Sequence, residues 1–221
     1  MLSNTRPPQL PKPTNQGTYT MFIPADRPVS ADILLSAIDN LPLPSPIKFG
    51  IFGLSQNAVG RLRADSGVEG LAHLVTPPRA ILARFLATDQ DLVLPLAFPT
   101  VSEFVDHLDA VLPAPPDLRT IALTLGREES AASRWSRGEN LSAYPAIRTM
   151  MALVSIDPTK TKHRWELLSR MANREARLRG IESLDNAGSW GAKIQPWLPS
   201  NMSNGGTARV TISGGPVNTH A

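Results

Sequence analysis

The chain has 221 residues with a formal net charge of +3, 21 prolines and no cysteine. The absence of cysteine excludes disulfide bonds and thiolate metal sites, and no apolar run approaches the roughly 18 residues that a membrane-spanning helix needs. The first residues, MLSNTRPPQLPKPT, lack the apolar segment of a secretory signal. We therefore expect a folded protein of the cytoplasm that has no membrane partner.

The first half of the chain is typical of a proline-rich arm followed by short helices. Residues 1–17 contain four prolines and few apolar residues, so we expect a flexible arm. Beyond it, the apolar spacing predicts a module of short helices over 18–112, for oligomerisation or partner binding, with a small β element at TYTMFIP or QDLVLPLAF. Thr100 and Glu103 stand in capping-box spacing at the start of the last helix. The helical patterns are SADILLSAIDNL, SQNAVGRLRAD, SGVEGLAHLV, TPPRAILARFLATD and TVSEFVDHLDAVL.

A second domain is expected after PAPP at 113–116, because this segment cannot continue a helix. Four helical patterns follow and define a domain over 113–182. From 183 to 221 the composition turns to Gly, Ser, Asn and Thr, which predicts a flexible tail. The expected fold class is mainly α. The four patterns are DLRTIALTL, EESAASRWS, AYPAIRTMMALVS and KHRWELLSRMANREARLR.

The first two of these four helices meet the packing requirements of a helix-turn-helix. Ala122 is a small residue at which the first helix can approach the second, and Gly126 tolerates the positive φ that the turn favours. Ala132 and Trp135 share the expected inward face of the second helix, which leaves its other side for the major groove of DNA. The next helix can cover the unit with Ile147, Met150, Met151 and Leu153.

These spacings resemble the Cro/phage-repressor family of helix-turn-helix proteins, also called XRE-like, over about residues 117–157. The matching positions are the alanine, the glycine, the late tryptophan and the following Arg137-Gly138. The resemblance implies that a helix over about 128–136 is the recognition helix in the major groove. The chain departs from the family because PDLR replaces the usual glutamine and alanine replaces a usual valine or isoleucine at 132. Two acids, Glu128 and Glu129, also begin the recognition helix.

Two sets of DNA contacts follow from this interpretation. Outward side chains of the second helix are expected at base edges, where arginine matches guanine and glutamate accepts from cytosine. Neighbouring arginines are expected at phosphates, which fix register without reading sequence. For each arginine the alternative is an exposed or internally paired side chain. The base-contacting set is Glu129, Ser130, Ser133 and Arg134, and the phosphate-contacting set is Arg119, Arg127, Arg137 and Arg148.

Positive charge is concentrated in the same part of the chain. From Asp117 to Glu182 there are twelve basic and eight acidic residues, a net charge of +4, whereas the remainder carries −1. Such a concentration is typical of polyanion binding, and the alternative is a solvated helix surface. The last helix, over about 160–179, carries five arginines beside an apolar stripe with Trp165 and Leu168. Its candidate roles are packing on the helix-turn-helix, dimerisation and a further phosphate contact.

A fainter similarity links residues 52–98 to the FlhD-type subunit of flagellar master regulators. Both start a helix with a glycine, an aliphatic and two polar residues, continue through short helices and close on an apolar stretch that ends here at Phe98. The similarity implies a hetero-oligomeric activator of a mobile-element operon. The alternative is an unrelated helical module for dimerisation or effector binding.

Enzymatic motifs do not occur in the sequence. The four histidines show no metal-ligand spacing, and GIFGLSQNAVG lacks the lysine and hydroxyl residue of a phosphate loop. DSGVEG does not have the arrangement of a nucleophile elbow. We therefore expect no catalytic residue, no metal and no cofactor.

The sequence as a whole predicts a DNA-binding transcriptional regulator of a bacterial, phage or plasmid operon. Its expected ligand is double-stranded DNA, and its expected protein partner is a second copy or a second regulator subunit. One alternative is a DNA-binding accessory protein of plasmid transfer or partition. The other is a helical adaptor that binds no nucleic acid.

Overall fold

The computed structural model describes residues 21–65, 74–89, 97–139, 141 and 144–191. Within these ranges the chain forms ten helices and no strand, which confirms the mainly α class. The arm at 1–17 and the helix expected at SGVEGLAHLV lie wholly or mostly outside the described residues. The helices are α1 (Ala31–Asp39), α2 (Ser45–Gly50), α3 (Gln56–Asp65), α4 (Pro77–Thr88), α5 (Val101–Val111), α6 (Leu118–Thr124), α7 (Ser130–Trp135), α8 (Pro145–Ser155), α9 (Thr161–Leu178) and α10 (Leu184–Ala187).

The small β element is not formed where the structure describes it. Residues 21–24 of TYTMFIP have no regular structure, and QDLVLPLAF lies mostly outside the described residues. An isolated antiparallel bridge between Ser30 and Leu74 is the β-type pairing found in the described ranges. It joins the residue before α1 to the segment that leads into α4.

Local sequence signals fix several helix starts. Thr100 accepts a hydrogen bond from the Glu103 amide at 3.2 Å, and the Glu103 carboxylate accepts from the Thr100 amide at 2.7 Å. The predicted capping box of α5 is therefore confirmed. Pro77 occupies the first position of α4, where the missing amide hydrogen costs no helical bond.

One hydrophobic core joins the helices on both sides of the boundary expected near 113. Helix α4 packs against α1, α8 and α9, and α5 packs against α8 and α9. The buried face of α4 includes Ile81 and Phe85, which are fully buried. Phe104 of α5 lies 6.3 Å from Trp165 of α9 between ring centroids. The residues expected to form two domains therefore share a single packed interior.

A buried cluster of charges ties the N-terminal segment to α4 and α9. The Glu175 side chain is inaccessible to solvent, and its carboxylate lies 2.6 Å from Arg84 Nε and 2.8 Å from Arg179 Nη2. It also accepts a hydrogen bond from the Val29 amide at 3.2 Å. Arg84 donates in addition to the carbonyls of Pro24 and Arg27. Every partner of the carboxylate is thus a donor, which is the condition under which a buried charge is tolerated.

A third buried arginine side chain, after Arg84 and Arg179, belongs to the same interface. Arg164 of α9 is almost fully buried, lies 3.2 Å from Asp89 Oδ2 and donates to the Leu153 carbonyl at 3.1 Å. Two of the arginines in the basic segment, Arg164 and Arg179, are therefore used inside the protein.

Among the described residues, no helix is long and apolar enough to cross a membrane.

Candidate nucleic-acid interface

Helix α6 is fixed at both ends by local signals. At its start, the Asp117 carboxylate accepts a hydrogen bond from the Thr120 amide at 2.7 Å. Hydrogen bonding by the Thr120 side chain and backbone lowers the pKa of Asp117 below its ordinary value. At its end, the Arg127 amide donates to the Ala122 carbonyl at 2.9 Å and the Gly126 amide donates to the Leu123 carbonyl at 3.0 Å. This pair of bonds is the Schellman closure of a helix.

Gly126 has the conformation that the sequence predicts for the turn. Its φ is +84°, a left-handed value that glycine adopts without strain. The structure adds a second requirement, because a Cβ at this position would lie 2.6 Å from the backbone nitrogen of Pro78. The turn is therefore pressed against the first residues of α4, 48 positions earlier in the chain.

Helix α7 is shorter than the predicted recognition helix over 128–136. The amides of Ala131 and Ala132 donate to the carbonyls of Glu128 and Glu129, which are three residues back, so the chain enters α7 through a tighter turn. Ala131 and Trp135 are buried, whereas Ala132 is half-buried. The inward face is therefore carried by Ala131, and the prediction of Ala132 for that role is wrong.

Four of the eight predicted contact residues lie outward on or just after α7. Ser130, Ser133 and Arg137 are exposed, and the Arg134 side chain is 38% exposed. Arg134 Nε lies 3.3 Å from the Glu139 carboxylate, and its Nη1 lies 3.5 Å from the Ser130 hydroxyl. We call Ser130, Ser133, Arg134 and Arg137 the α7 outer face.

Glu129 and Arg119 form an ion pair, and each also binds a residue that follows α9. Arg119 Nε lies 2.8 Å from the Glu129 carboxylate, and Arg119 Nη2 donates to the Asp185 carbonyl at 2.5 Å. The hydrogen bond with Glu129 raises the pKa of Arg119 above its ordinary value. The Glu129 amide in turn donates to the Gly188 carbonyl at 2.9 Å. Both residues are thus in contact with residues 183–191.

Residues 183–191 form a structure where the sequence predicts the start of a flexible tail. Ser183 caps α10, and Gly188 ends it with a φ of +63°. The indole nitrogen of Trp190 donates to the Leu123 carbonyl at 2.9 Å, and Trp190 is buried. The prediction is therefore wrong for these nine residues, because a long-range hydrogen bond and apolar burial hold the segment in place. The remainder of the expected tail, 192–221, lies outside the described residues.

Arg127 and Arg148 each stack on an aromatic ring. The Arg127 guanidinium carbon lies 4.3 Å from the centroid of Tyr144, and that of Arg148 lies 4.8 Å from the centroid of Phe98. Both arginines are half-buried. These cation–π contacts hold the two arginine side chains against neighbouring parts of the protein.

Helix α8 has the buried face that the sequence predicts, but it packs mainly on α4, α5 and α9, whereas α6 packs on α7, α9 and α10. Its buried residues include Ile147, Met150, Met151 and Leu153. Helix α9 carries a further row of exposed basic side chains that the buried network does not use. These are Lys162, His163, Arg170, Arg174 and Arg177, of which Arg174 donates to the Ala25 carbonyl at 3.2 Å.

No family model, curated protein or solved structure matches this chain. The assignment of a role to the α7 outer face therefore rests on its own geometry and chemistry. Among the described residues, no group of three or more histidine and carboxylate side chains has an arrangement that could hold a metal ion.

Proposed function

We propose that this protein is a cytoplasmic transcriptional regulator that binds specific sequences in double-stranded DNA through the α7 outer face. The observation that supports the proposal is a helix, a glycine turn and a second helix whose apolar side is buried and whose polar side is exposed. A helix placed in this way can enter the major groove, which is wide enough to admit it.

The chemistry of the outer face suits base recognition. An arginine can donate two hydrogen bonds to guanine O6 and N7, and serine hydroxyls can donate to or accept from a base edge. Arg134 is paired with Glu139 in the free protein, but the pair is partly exposed to solvent and contributes about 0–1 kcal/mol. The guanidinium can therefore exchange Glu139 for a base at little cost. In this proposal Arg137 contacts a phosphate.

The other predicted contacts take different roles in the proposal. Glu129 and Arg119 anchor residues 183–191 against the start of α7, and their carboxylate–guanidinium pair neutralises both charges. Arg127 and Arg148 stabilise the fold through their aromatic partners. The base-contacting set is thereby reduced to Ser130, Ser133 and Arg134.

A single α7 presents few side chains to a groove, so we propose that two copies, or this chain and a second subunit, bind together. Two recognition helices of such an assembly lie about 34 Å apart, one turn of DNA. Binding of both half-sites then gives the affinity that one short helix cannot supply.

The proposal is tested by selecting duplexes from a random-sequence library and measuring the Kd of the selected site. Arg134→Ala is expected to weaken binding by about 1–3 kcal/mol, or roughly five- to 150-fold. The matched control is Arg61→Ala, which removes an exposed arginine from α3, outside the helix-turn-helix. We expect the control to change the Kd less than twofold, about 0.4 kcal/mol. Equal effects of the two substitutions would contradict a recognition role for α7.

A helical adaptor is the second candidate, and one observation favours it. The turn before α7 is packed on α4, and residues 183–191 lie over the start of α7, so the pair is also built into the protein interior. An adaptor would fail to select any duplex from the library at low salt. A regulator would enrich one sequence family.

A further inference from the structure

A cleft of about 640 Å³ lies between the first turns of α4 and α8, the α6–α7 turn and Trp190. Its volume is in the range of small-molecule sites, roughly 300–1,000 Å³. Apolar and aromatic side chains make most of its wall, among them Phe52, Val75, Tyr144 and Trp190. None of the outer-face residues of α7 lines it, so the cleft is a separate site.

The cleft carries a cation, Arg127, that is not paired with a carboxylate among the described residues. Arg127 forms no ion pair with any described residue, and its Nε atom is buried without a hydrogen-bond partner among them. Its guanidinium carbon lies over the Tyr144 ring, 4.3 Å from the ring centroid. A buried donor without an acceptor is unfavourable, so an anion that accepts hydrogen bonds from the Arg127 guanidinium would be favoured.

The other charged groups of the cleft differ from Arg127. Arg79 is bound by the carbonyls of Phe52 and Gly53, both at 2.9 Å, which leaves its positive charge without a carboxylate. Burial lowers the pKa of Arg79 by desolvating its charged form, which a bound anion would offset. Arg179 is paired with Glu175, which it shares with Arg84, and the one acid that lines the cleft, Glu128, is exposed. The interior is therefore positive at Arg79 and Arg127.

We propose that this cleft binds a small organic anion with a flat apolar body. The apolar part would pack among Phe52, Val75 and Trp190, and the anionic group would accept hydrogen bonds from Arg127. Arg127 follows the turn glycine, and Trp190 belongs to residues 183–191, which lie over the start of α7. The bound molecule would therefore contact both the turn that precedes α7 and the segment that lies over it. The proposal does not depend on DNA binding, because the site is complete without DNA.

The test uses two fluorescent probes of similar shape on the full chain without DNA. One is 1-anilinonaphthalene-8-sulfonate, an aromatic anion, and the other is its uncharged relative N-phenyl-1-naphthylamine. We expect one saturable site per chain that binds the sulfonate. Arg127→Gln is expected to weaken sulfonate binding at least about tenfold and to leave binding of the uncharged probe unchanged. Arg61→Gln, which removes an exposed arginine of α3 outside the cleft, is expected to leave both unchanged.

A second substitution covers the case in which Arg127→Gln disturbs the fold. Thr76 lines the cleft, is exposed, and forms no capping hydrogen bond through its side chain. Thr76→Phe would narrow the cleft without removing an interaction, and it is expected to weaken both probes at least about fivefold. Equal weakening of both probes by Arg127→Gln in a folded protein, or no effect of Thr76→Phe, would overturn the proposal.

Discussion

Two regions of this molecule use arginine in opposite ways. Around α9, Arg84, Arg164 and Arg179 are almost fully buried, and each is bound to a carboxylate and to backbone carbonyls. On and after α7, Arg134 and Arg137 reach solvent, and Arg134 has one half-buried acidic partner, Glu139. The first set holds helices together, whereas the second can exchange partners. The number of arginines in a segment therefore does not measure its capacity to bind a polyanion.

The largest expected effect tests the buried region. Glu175→Ala would leave Arg84 and Arg179 buried without their shared carboxylate. Breaking a buried pair by removing one partner costs about 3–5 kcal/mol. The free energy of unfolding, measured by urea denaturation, is expected to fall by that amount.

The control for this substitution is on the same helix. Glu166 of α9 is exposed, and Glu166→Ala is expected to change stability by no more than about 0.5 kcal/mol. If both substitutions cost less than about 1 kcal/mol, the buried network is not what holds α4 to α9.

A comparison of two glycines with the same φ distinguishes the cost of backbone strain from the cost of a steric clash. Gly126 and Gly138 both have a φ of +84°, but a Cβ would meet Pro78 only at Gly126 and would meet nothing within 4 Å at Gly138. Gly138→Ala is expected to cost about 1 kcal/mol from the left-handed conformation. Gly126→Ala is expected to cost about 2–4 kcal/mol, because the contact with α4 adds to the same strain.

Thermal or urea unfolding of the two variants checks this prediction. Similar losses for both would show that the turn is not pressed against α4, and the α6–α7 pair would then be a more independent unit than the structure describes. A larger loss at 126 identifies α4 as the support of the turn.

Asp117 is expected to contribute a smaller, pH-dependent stability at the start of α6. Asp117→Ala removes a helix cap, which typically costs about 1 kcal/mol at neutral pH. The folded pKa of Asp117 lies below its ordinary value of about 3.8, so the contribution is complete above that value. It is lost as the pH falls through the lower folded pKa. Urea midpoints of the two proteins, measured from pH 7 downward, should therefore converge below about pH 4; a constant difference would contradict the role of the carboxylate.

The smallest expected change in stability is at the α7 outer face. Arg134→Ala removes a partly exposed pair with Glu139, and the free energy of unfolding should fall by less than about 1 kcal/mol. A larger loss would mean that Arg134 resembles the buried arginines of α9, and its effect on DNA binding would then be indirect.

Local patterns in the sequence predicted the parts of the site that depend on neighbouring residues. The turn at Gly126, the capping box at Thr100 and Glu103, and the buried face of α8 follow from spacings of a few residues. These features need no information about distant parts of the chain. They are sufficient to predict a helical pair and its approximate bounds.

The features of the site that the sequence could not predict depend on contacts between residues far apart in the chain. Trp190 binds the Leu123 carbonyl across 67 positions, and Arg119 binds the Asp185 carbonyl across 66. The stacking of Arg148 on Phe98 and the burial of Arg179 beside Glu175 likewise depend on the assembled fold. Each arginine carries the same charge in the sequence, and only its surroundings distinguish a structural residue from one that can bind a ligand.

The measurement that tests recognition by α7 most directly is the ratio of Kd values for unrelated and selected duplexes, taken across a salt series. For Arg134→Ala we expect this ratio to fall roughly five- to 150-fold, because a lost base contact reduces the free energy of discrimination by about 1–3 kcal/mol. For Arg137→Ala we expect the ratio to stay constant while both affinities fall and the salt slope decreases by about 0.9. A ratio that Arg134→Ala leaves unchanged would contradict the account.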